Sequence, residues 1–255
     1  MHASPAKLQV LREVALYPKK EVAGRRFGKD APFTKGESRL ARQAPEEALI
    51  RFFYAPHTCA LASHIALVDA GASYESVRID FRKEEQRKPE YLSVNPKGRV
   101  PSLQTERGVL TETPAILAFI AQSFPAANLA PLEDAFAFAR VQAFNSYLCS
   151  TVHVAHAHRM RGYRWADDPA AIAAMQKKVP TSVAECFGLI DRDMLVGPFV
   201  MGESYTICDP YLFTLSQWLD GDGVDIARFP NVHEHRRLMA GRPQVKKALA
   251  EEGAA

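Results

Sequence analysis

Strand patterning stops less than halfway along this chain and does not return. Up to Glu112, short apolar runs alternate with helical periods, whereas beyond Phe124 every patterned segment has helical spacing. Elements that follow one another in sequence pack as neighbours, so such a chain folds as a small α/β module followed by an all-helical one. IRFFYA (Ile50 to Ala55) is a short apolar run closed by Pro56 and predicts a buried strand. A helix follows over Cys59 to Ala70, with Leu61, Ile65 and Val68 on one face and Gly71 placed to stop it. YESVRI (Tyr74 to Ile79) alternates as a strand, and a polar loop with a short turn at Pro89 to Val94 comes next. VPSLQT (Val100 to Thr105) and VLTE (Val109 to Glu112) flank Glu106-Arg107-Gly108, a hairpin signal. Pro114 opens a helix over Ala115 to Ser123, near the first helical position that proline prefers. The predicted order is β-α-β-α-β-β-α.

After the Pro/Ala-rich segment Phe124 to Leu132, helices are expected over Asp134 to Met160, Pro169 to Leu195, Ile207 to Leu219, Val232 to Ala240 and Pro243 to Glu251. Thr206-Ile207-Cys208-Asp209 has the form of a capping box, in which the hydroxyl and the carboxylate satisfy backbone donors of the first turn. The join between the two modules falls near residue 128, giving domains at 49–127 and 133–255.

Charge divides the chain at a different place. The net charge of +3 hides a split: residues 1–48 hold 10 Lys/Arg against 6 Asp/Glu, leaving 22 against 23 for the rest. The basic excess lies in a proline-punctuated leader without a sustained apolar period, which reads as a disordered tail, a targeting peptide or, with translation starting at Leu49, a start-site artefact. A nucleic-acid footprint needs basic residues on a folded face, so no such partner is expected. No apolar run approaches the roughly 18 residues of a membrane span. Cys59, Cys149, Cys186 and Cys208 include no Cys-x-x-Cys pair, so neither a zinc knuckle nor a disulfide framework is indicated, and a reducing cytoplasm fits.

Cys59 is the sharpest single residue. At a helix N-terminus the helix dipole favours a thiolate and lowers a cysteine pKa from about 8.5 to roughly 3.5–7.5, although a lone cysteine on an apolar-flanked helix is also ordinary core packing. Cys149, His153 and His156 share an i, i+4, i+7 face that invites a metal reading, but no carboxylate joins them. Thr113, at a strand end and a helix start where backbone N–H groups favour an anion, reads alone merely as an N-cap.

Four motifs in register, YAPHTCALASHIAL, NPKGRVPSL, LTETPAIL and GESYTICDPYLF, resemble the bacterial beta-class glutathione transferases over residues 50 to 250. The resemblance implies a thioredoxin-like N-terminal domain, an all-α C-terminal domain, glutathione as co-substrate, hydrophobic electrophiles as second substrates, and a homodimer. It implies Cys59 and His153 as catalytic residues. It implies a cis bond before Pro101 that frees the Val100 backbone to pair with glutathione, the γ-glutamyl carboxylate on Thr113, and its ammonium on Glu112. Many relatives have Ser after the cysteine and Lys after the histidine, where this chain has Ala60 and Val154. The missing lysine leaves a glutathione carboxylate to Lys83 or Arg99; Ser146, standing for a family Asn, and Ser150 are further expected contacts. Tyr163 and Trp165 read as generic apolar lining. The function implied is conjugation of the glutathione thiol to electrophiles, with thiol-disulfide or peroxide reduction through Cys59; the alternative is a non-catalytic ligand carrier or transcription-associated binding protein.

Overall fold

The computed structural model describes residues 50–253, so the readings made for residues 1–48 lie outside it. Strand β1 (Ile50–Tyr54) runs parallel to β2 (Tyr74–Arg78), with Ile50 opposite Tyr74 and Tyr54 opposite Arg78. A parallel pair needs a crossover, and α1 (Ala60–Asp69) supplies it. On its other edge β1 pairs antiparallel with β3 (Ser102–Thr105), which turns back through Glu106-Arg107 into β4 (Gly108–Thr111). The sheet order is β2-β1-β3-β4. With α2 (Pro89–Leu92) before β3 and α3 (Thr113–Ser123) after β4, this half has the predicted element order and a thioredoxin-like arrangement.

Helix α1 is apolar nearly all round, as a helix with packing on both sides must be. Ala60, Ala62, Ala66 and Leu67 join Phe52, Leu103 and Ile116 in the core that includes the sheet. Leu61 and Ile65, with Val68 at the margin, instead pack with Phe213, Met239, Val245 and Ala248 of the helical half. Gly71 stops α1 as expected: at φ +63° it places its N–H on Val68 O (3.1 Å), and Ala72 N–H reaches Leu67 O (3.1 Å). This is the Schellman closure that a left-handed glycine allows.

The helical half comprises α4 (Ala135–Tyr147), α5 (His153–Arg161), α6 (Pro169–Leu189), α7 (Cys208–Ser216), α8 (Pro230–Gly241) and α9 (Pro243–Glu252). The single helix expected over Asp134 to Met160 is divided by a π-helical turn, Leu148–Val152, and α6 ends in another, Ile190–Met194. Helix α7 ends before Leu219 because Trp218 and Leu219 tighten into i+3 bonds to Leu215 and Ser216.

The capping box forms. Asp209 Oδ2 accepts the Thr206 N–H (2.7 Å), and Thr206 Oγ1 accepts the Cys208 N–H (3.3 Å). Asp209 Oδ1 also takes the Val200 N–H (2.8 Å) and lies 3.0 Å from His235 Nε2, so this fully buried carboxylate ties the loop before α7 to α8. The end of α9 is fastened to α1 by buried His64, whose Nδ1 lies 3.0 Å from Glu252 and whose Nε2 lies 2.9 Å from Glu251. No helix among the described residues is long and apolar enough to cross a membrane.

Candidate active site

One cavity of about 790 Å³ opens between the sheet half and the α5 to α7 side of the helical half, within the usual size range for small-molecule sites. On the sheet side, Thr58 sets the start of α1: its hydroxyl donates to Ala55 O (2.7 Å) and accepts the Ala60 N–H (3.3 Å). Cys59 then stands at the N-terminus of α1, half-buried, with its thiol donating to Val100 O at 3.6 Å. Burial pushes this thiol above the ordinary cysteine range, while Thr113 and the charge of Arg161 act against the shift. Loss of water thus acts against the thiolate that a helix N-terminus favours.

The loop facing Cys59 is fixed from behind. Tyr91 donates to Arg99 O (2.6 Å), Asn95 Nδ2 donates to the same carbonyl (2.7 Å) and to Ser102 Oγ (3.1 Å), and Asn95 Oδ1 takes the Lys97 N–H (3.1 Å). Gly98 sits at φ +59° with the Gln86 carbonyl 2.8 Å from where a Cβ would stand, so glycine is required there. This accounts for the NPKGRVP motif. It presents the Arg99 side chain and the Val100 backbone to the cavity, and the Val100–Pro101 bond is cis, as the resemblance implied. The Val100 N–H has no partner among the described residues.

Helix α3 begins at Thr113, two residues earlier than expected, with Pro114 in its first turn and Glu112 capping it at φ +72°. A non-glycine residue in that region is strained, and such strain gathers at functional sites. The Glu112 carboxylate pairs with Lys97, which also donates to Thr111 Oγ1 (2.6 Å). Thr113 is buried.

From the helical side come Cys149, His153, Arg161 and Arg164, together with Tyr211 and Trp218. His153 lies edge-on to Trp218 at 5.1 Å between ring centroids. Burial, then the charges of Arg161, His156, Arg164 and Arg99, lower its pKa to about 4, so the free site holds a neutral imidazole. Buried Tyr211 approaches Thr113 and Cys59, and its hydroxyl is held well above the ordinary tyrosine range by burial.

The expected residues Cys59, Arg99, Val100, Pro101, Glu112, Thr113 and His153 thus line one cavity, and Lys83, Ser146 and Ser150 do not. Lys83 is exposed beside Asp80 (3.7 Å), which leaves Arg99 as the better placed of the two proposed cations. Ser146 is exposed because the π turn takes up one extra residue. In a regular helix seven residues return to the same face; with i+5 bonding in between, eight are needed, and it is Asn145, not Ser146, that is fully buried. Cys149, His153 and His156 all line the cavity. His156 binds Asp222 through Nδ1, and no cluster of three or more metal-ligating side chains occurs among the described residues. The spacing of motifs did not reveal Tyr211, Arg161, Arg164 or the His156–Asp222 pair. Tyr211 lay inside a recognised motif, whereas His156 and Asp222 meet across 66 residues of chain, which no local pattern signals.

A thioredoxin-like sheet, a cysteine at the start of the first helix and a cis-proline loop, roofed by a helical half, define the structural class: a thioredoxin-like module followed by a helical one. Residues 48–122 match the family model for the glutathione S-transferase N-terminal domain. A glutathione transferase homologue from Sulfitobacter, solved with bound glutathione, is 42% identical with a TM-score of 0.78, covering 82% of this chain and all of that one. The beta-class glutathione S-transferase of Sphingomonas chungbukensis is 32% identical with a TM-score of 0.71, covering 80% of this chain and all of its own. Glutathione S-transferase GstA of Escherichia coli O157:H7 is 29% identical over 207 residues, which is 80% of this chain and 99% of the relative. This chain belongs to the glutathione transferase family.

Proposed function

We propose that the cavity seats glutathione against the sheet half and that the protein transfers the glutathione thiol to electrophilic small molecules bound against the helical half. The observation that carries this reading is the meeting of the Cys59 thiol, the Val100–Pro101 loop, the Glu112–Thr113 helix start and His153 in one cavity. Glutathione brings two carboxylates, an ammonium and a sulfur. The N-terminus of α3 at Thr113 suits the γ-glutamyl carboxylate, Glu112 suits the ammonium in exchange for Lys97, and the Val100 backbone pairs with the peptide backbone as an added strand would. Arg99 takes the second carboxylate.

The sulfur chemistry follows from which group keeps its proton. Two anionic sulfurs side by side repel, and burial holds the Cys59 proton in place. The negative charge is then left to the glutathione sulfur, with the Cys59 S–H and the start of α1 as its donors. A histidine of pKa about 4 is a weak base at neutral pH, so His153 acts by orienting the thiol and passing its proton on, rather than by storing it. With a glutathionyl mixed disulfide as substrate, the minor thiolate form of Cys59 attacks the glutathione sulfur, the substrate S–S bond breaks and the other sulfur leaves as a thiolate. A second glutathione thiolate then attacks the Cys59–glutathione disulfide and releases Cys59 and oxidised glutathione, which is the route to a second, reducing activity. A homodimer is part of the proposal, supported by Phe136 on α4, which is 76% exposed.

Retention on immobilised glutathione followed by a conjugation assay with a chlorinated nitrobenzene tests the reading. Binding with turnover is expected. Binding without turnover identifies a ligand carrier instead.

A further inference from the structure

We propose that the second substrate carries a carboxylate on a planar unsaturated body, held by Arg161 and Arg164 on the helical side of the cavity. The inference rests on the glutathione reading above, since it concerns the charges left over once glutathione is seated.

The cavity is oversupplied with cations. Among the described residues, Arg159 pairs with Asp222 (3.2 Å), Arg87 with Glu84 (3.1 Å) and Lys97 with Glu112, whereas Arg99, Arg161 and Arg164 line the cavity with no carboxylate in ion-pair range. Burial and the charges of Arg161 and Arg99 lower the proton affinity of Arg164. Glutathione answers only part of this excess. Its ammonium is matched by Glu112, its γ-glutamyl carboxylate by the start of α3, and its other carboxylate by Arg99 beside the Val100–Pro101 loop. Arg161 and Arg164 remain, across the cavity.

These two arginines belong to a built wall. The segment Met160-Arg161-Gly162-Tyr163-Arg164-Trp165 alternates cations with large apolar groups, and Met160, Tyr163 and Trp165 are 72%, 55% and 48% exposed while lining the cavity. Gly162 is clamped on α6, where a Cβ would come within 3.1 Å of Ile172 Cγ2. Gln176 of α6 donates to Arg159 O (3.0 Å), and the Trp165 ring is held edge-on to His158 at 4.5 Å. A guanidinium fork beside aromatic rings recognises a carboxylate on a flat body, since the oxygens are bound in pairs and the body stacks. A neutral electrophile gains only the stacking.

A matched pair of electrophiles tests this. One is chlorodinitrobenzoate with chlorine para to the carboxylate, and the other is its carboxamide. In both, the glutathione sulfur bonds to the ring carbon, chloride leaves with the C–Cl bonding pair, and the thiol proton passes to solvent. Values of kcat/KM are divided by each compound's uncatalysed rate. The full chain is expected to favour the acid by about tenfold or more at low salt, with the preference shrinking as salt rises. In the Arg161→Gln/Arg164→Gln double variant that preference collapses through a higher KM for the acid, while the KM for glutathione stays near wild type. Arg161→Lys/Arg164→Lys restores part of the preference, which separates loss of charge from loss of fold. No acid preference in the wild type, or a preference that survives the double glutamine variant, overturns the inference. So does a rise in the KM for glutathione, which would give these arginines to glutathione itself. Conjugation of neither compound overturns the glutathione reading and this inference with it.

Discussion

Cys59 stands where a helix dipole favours a thiolate, yet burial keeps its proton on. That balance separates the two chemistries open to the site. Conjugation needs the charge on the glutathione sulfur, which donors other than Cys59 also stabilise; disulfide reduction by way of a Cys59–glutathione disulfide needs a sulfur on the protein. Cys59→Ala is therefore expected to abolish glutathione-dependent disulfide reduction while part of the conjugation survives, as parallel assays of the two activities on one preparation will report. Glu112 is a case in which exposure sets the magnitude. Its side chain is 63% exposed beside Lys97, so Glu112→Ala should weaken glutathione, measured by calorimetry, by about 1–2 kcal/mol rather than the 2–5 kcal/mol of a buried pair. His153 carries a stability signature. With its pKa lowered from 6.5 to about 4, the unfolded chain binds a proton in that window and the folded chain does not. Stability is then fully present above pH 6.5 and falls by roughly 3 kcal/mol as pH drops to about 4, a loss that urea titrations should find largely missing in His153→Gln. Gly98, for its close approach to the Gln86 carbonyl, and Gly71, for its left-handed stop, have local causes, whereas Glu112, Val100 and His153 stand out as site candidates only through the resemblance that four motifs in register carry. The proton on Cys59 was not legible, since desolvation depends on what packs around the thiol.

Helix α1 joins the two halves through opposite faces, and the helical pattern alone showed one of them. Leu61, Ile65 and Val68 stood out as an apolar stripe, whereas the face packed on the sheet is built largely of alanines that carry little signal. Ile65 is fully buried against the helical half. Ile65→Ala is expected to cost about 2–5 kcal/mol and to lower the melting temperature cooperatively; a change too small to measure would mean that the two halves are not held together at this face. The π turns escaped prediction for a related reason. A helix interrupted by one widened turn has nearly the same apolar spacing as a regular one over a few residues, but the single extra residue moved the burial from Ser146 to Asn145. Spacing arguments across that turn fail by one position.

At the scale of the whole molecule, the order of elements and the two-module division followed from where strand patterning ends, and the cavity follows from that division because its two walls come from different modules. The composition of the helical wall reads in the sequence only as generic lining; its Arg161 and Arg164, without a carboxylate in ion-pair range among the described residues, are a property of the folded wall. Assembly provides a further expectation. Sedimentation of the full chain should give twice the 28.3 kDa chain mass, and Phe136→Asp should shift it toward the monomer. The central claim is that one cavity holds glutathione with its sulfur at Cys59. Its most direct test is the intact mass of the protein after exposure to oxidised glutathione. A single glutathionyl adduct on the wild type that disappears in Cys59→Ala is the predicted result. An adduct that persists in the variant, mapped to Cys149, Cys186 or Cys208, would contradict it.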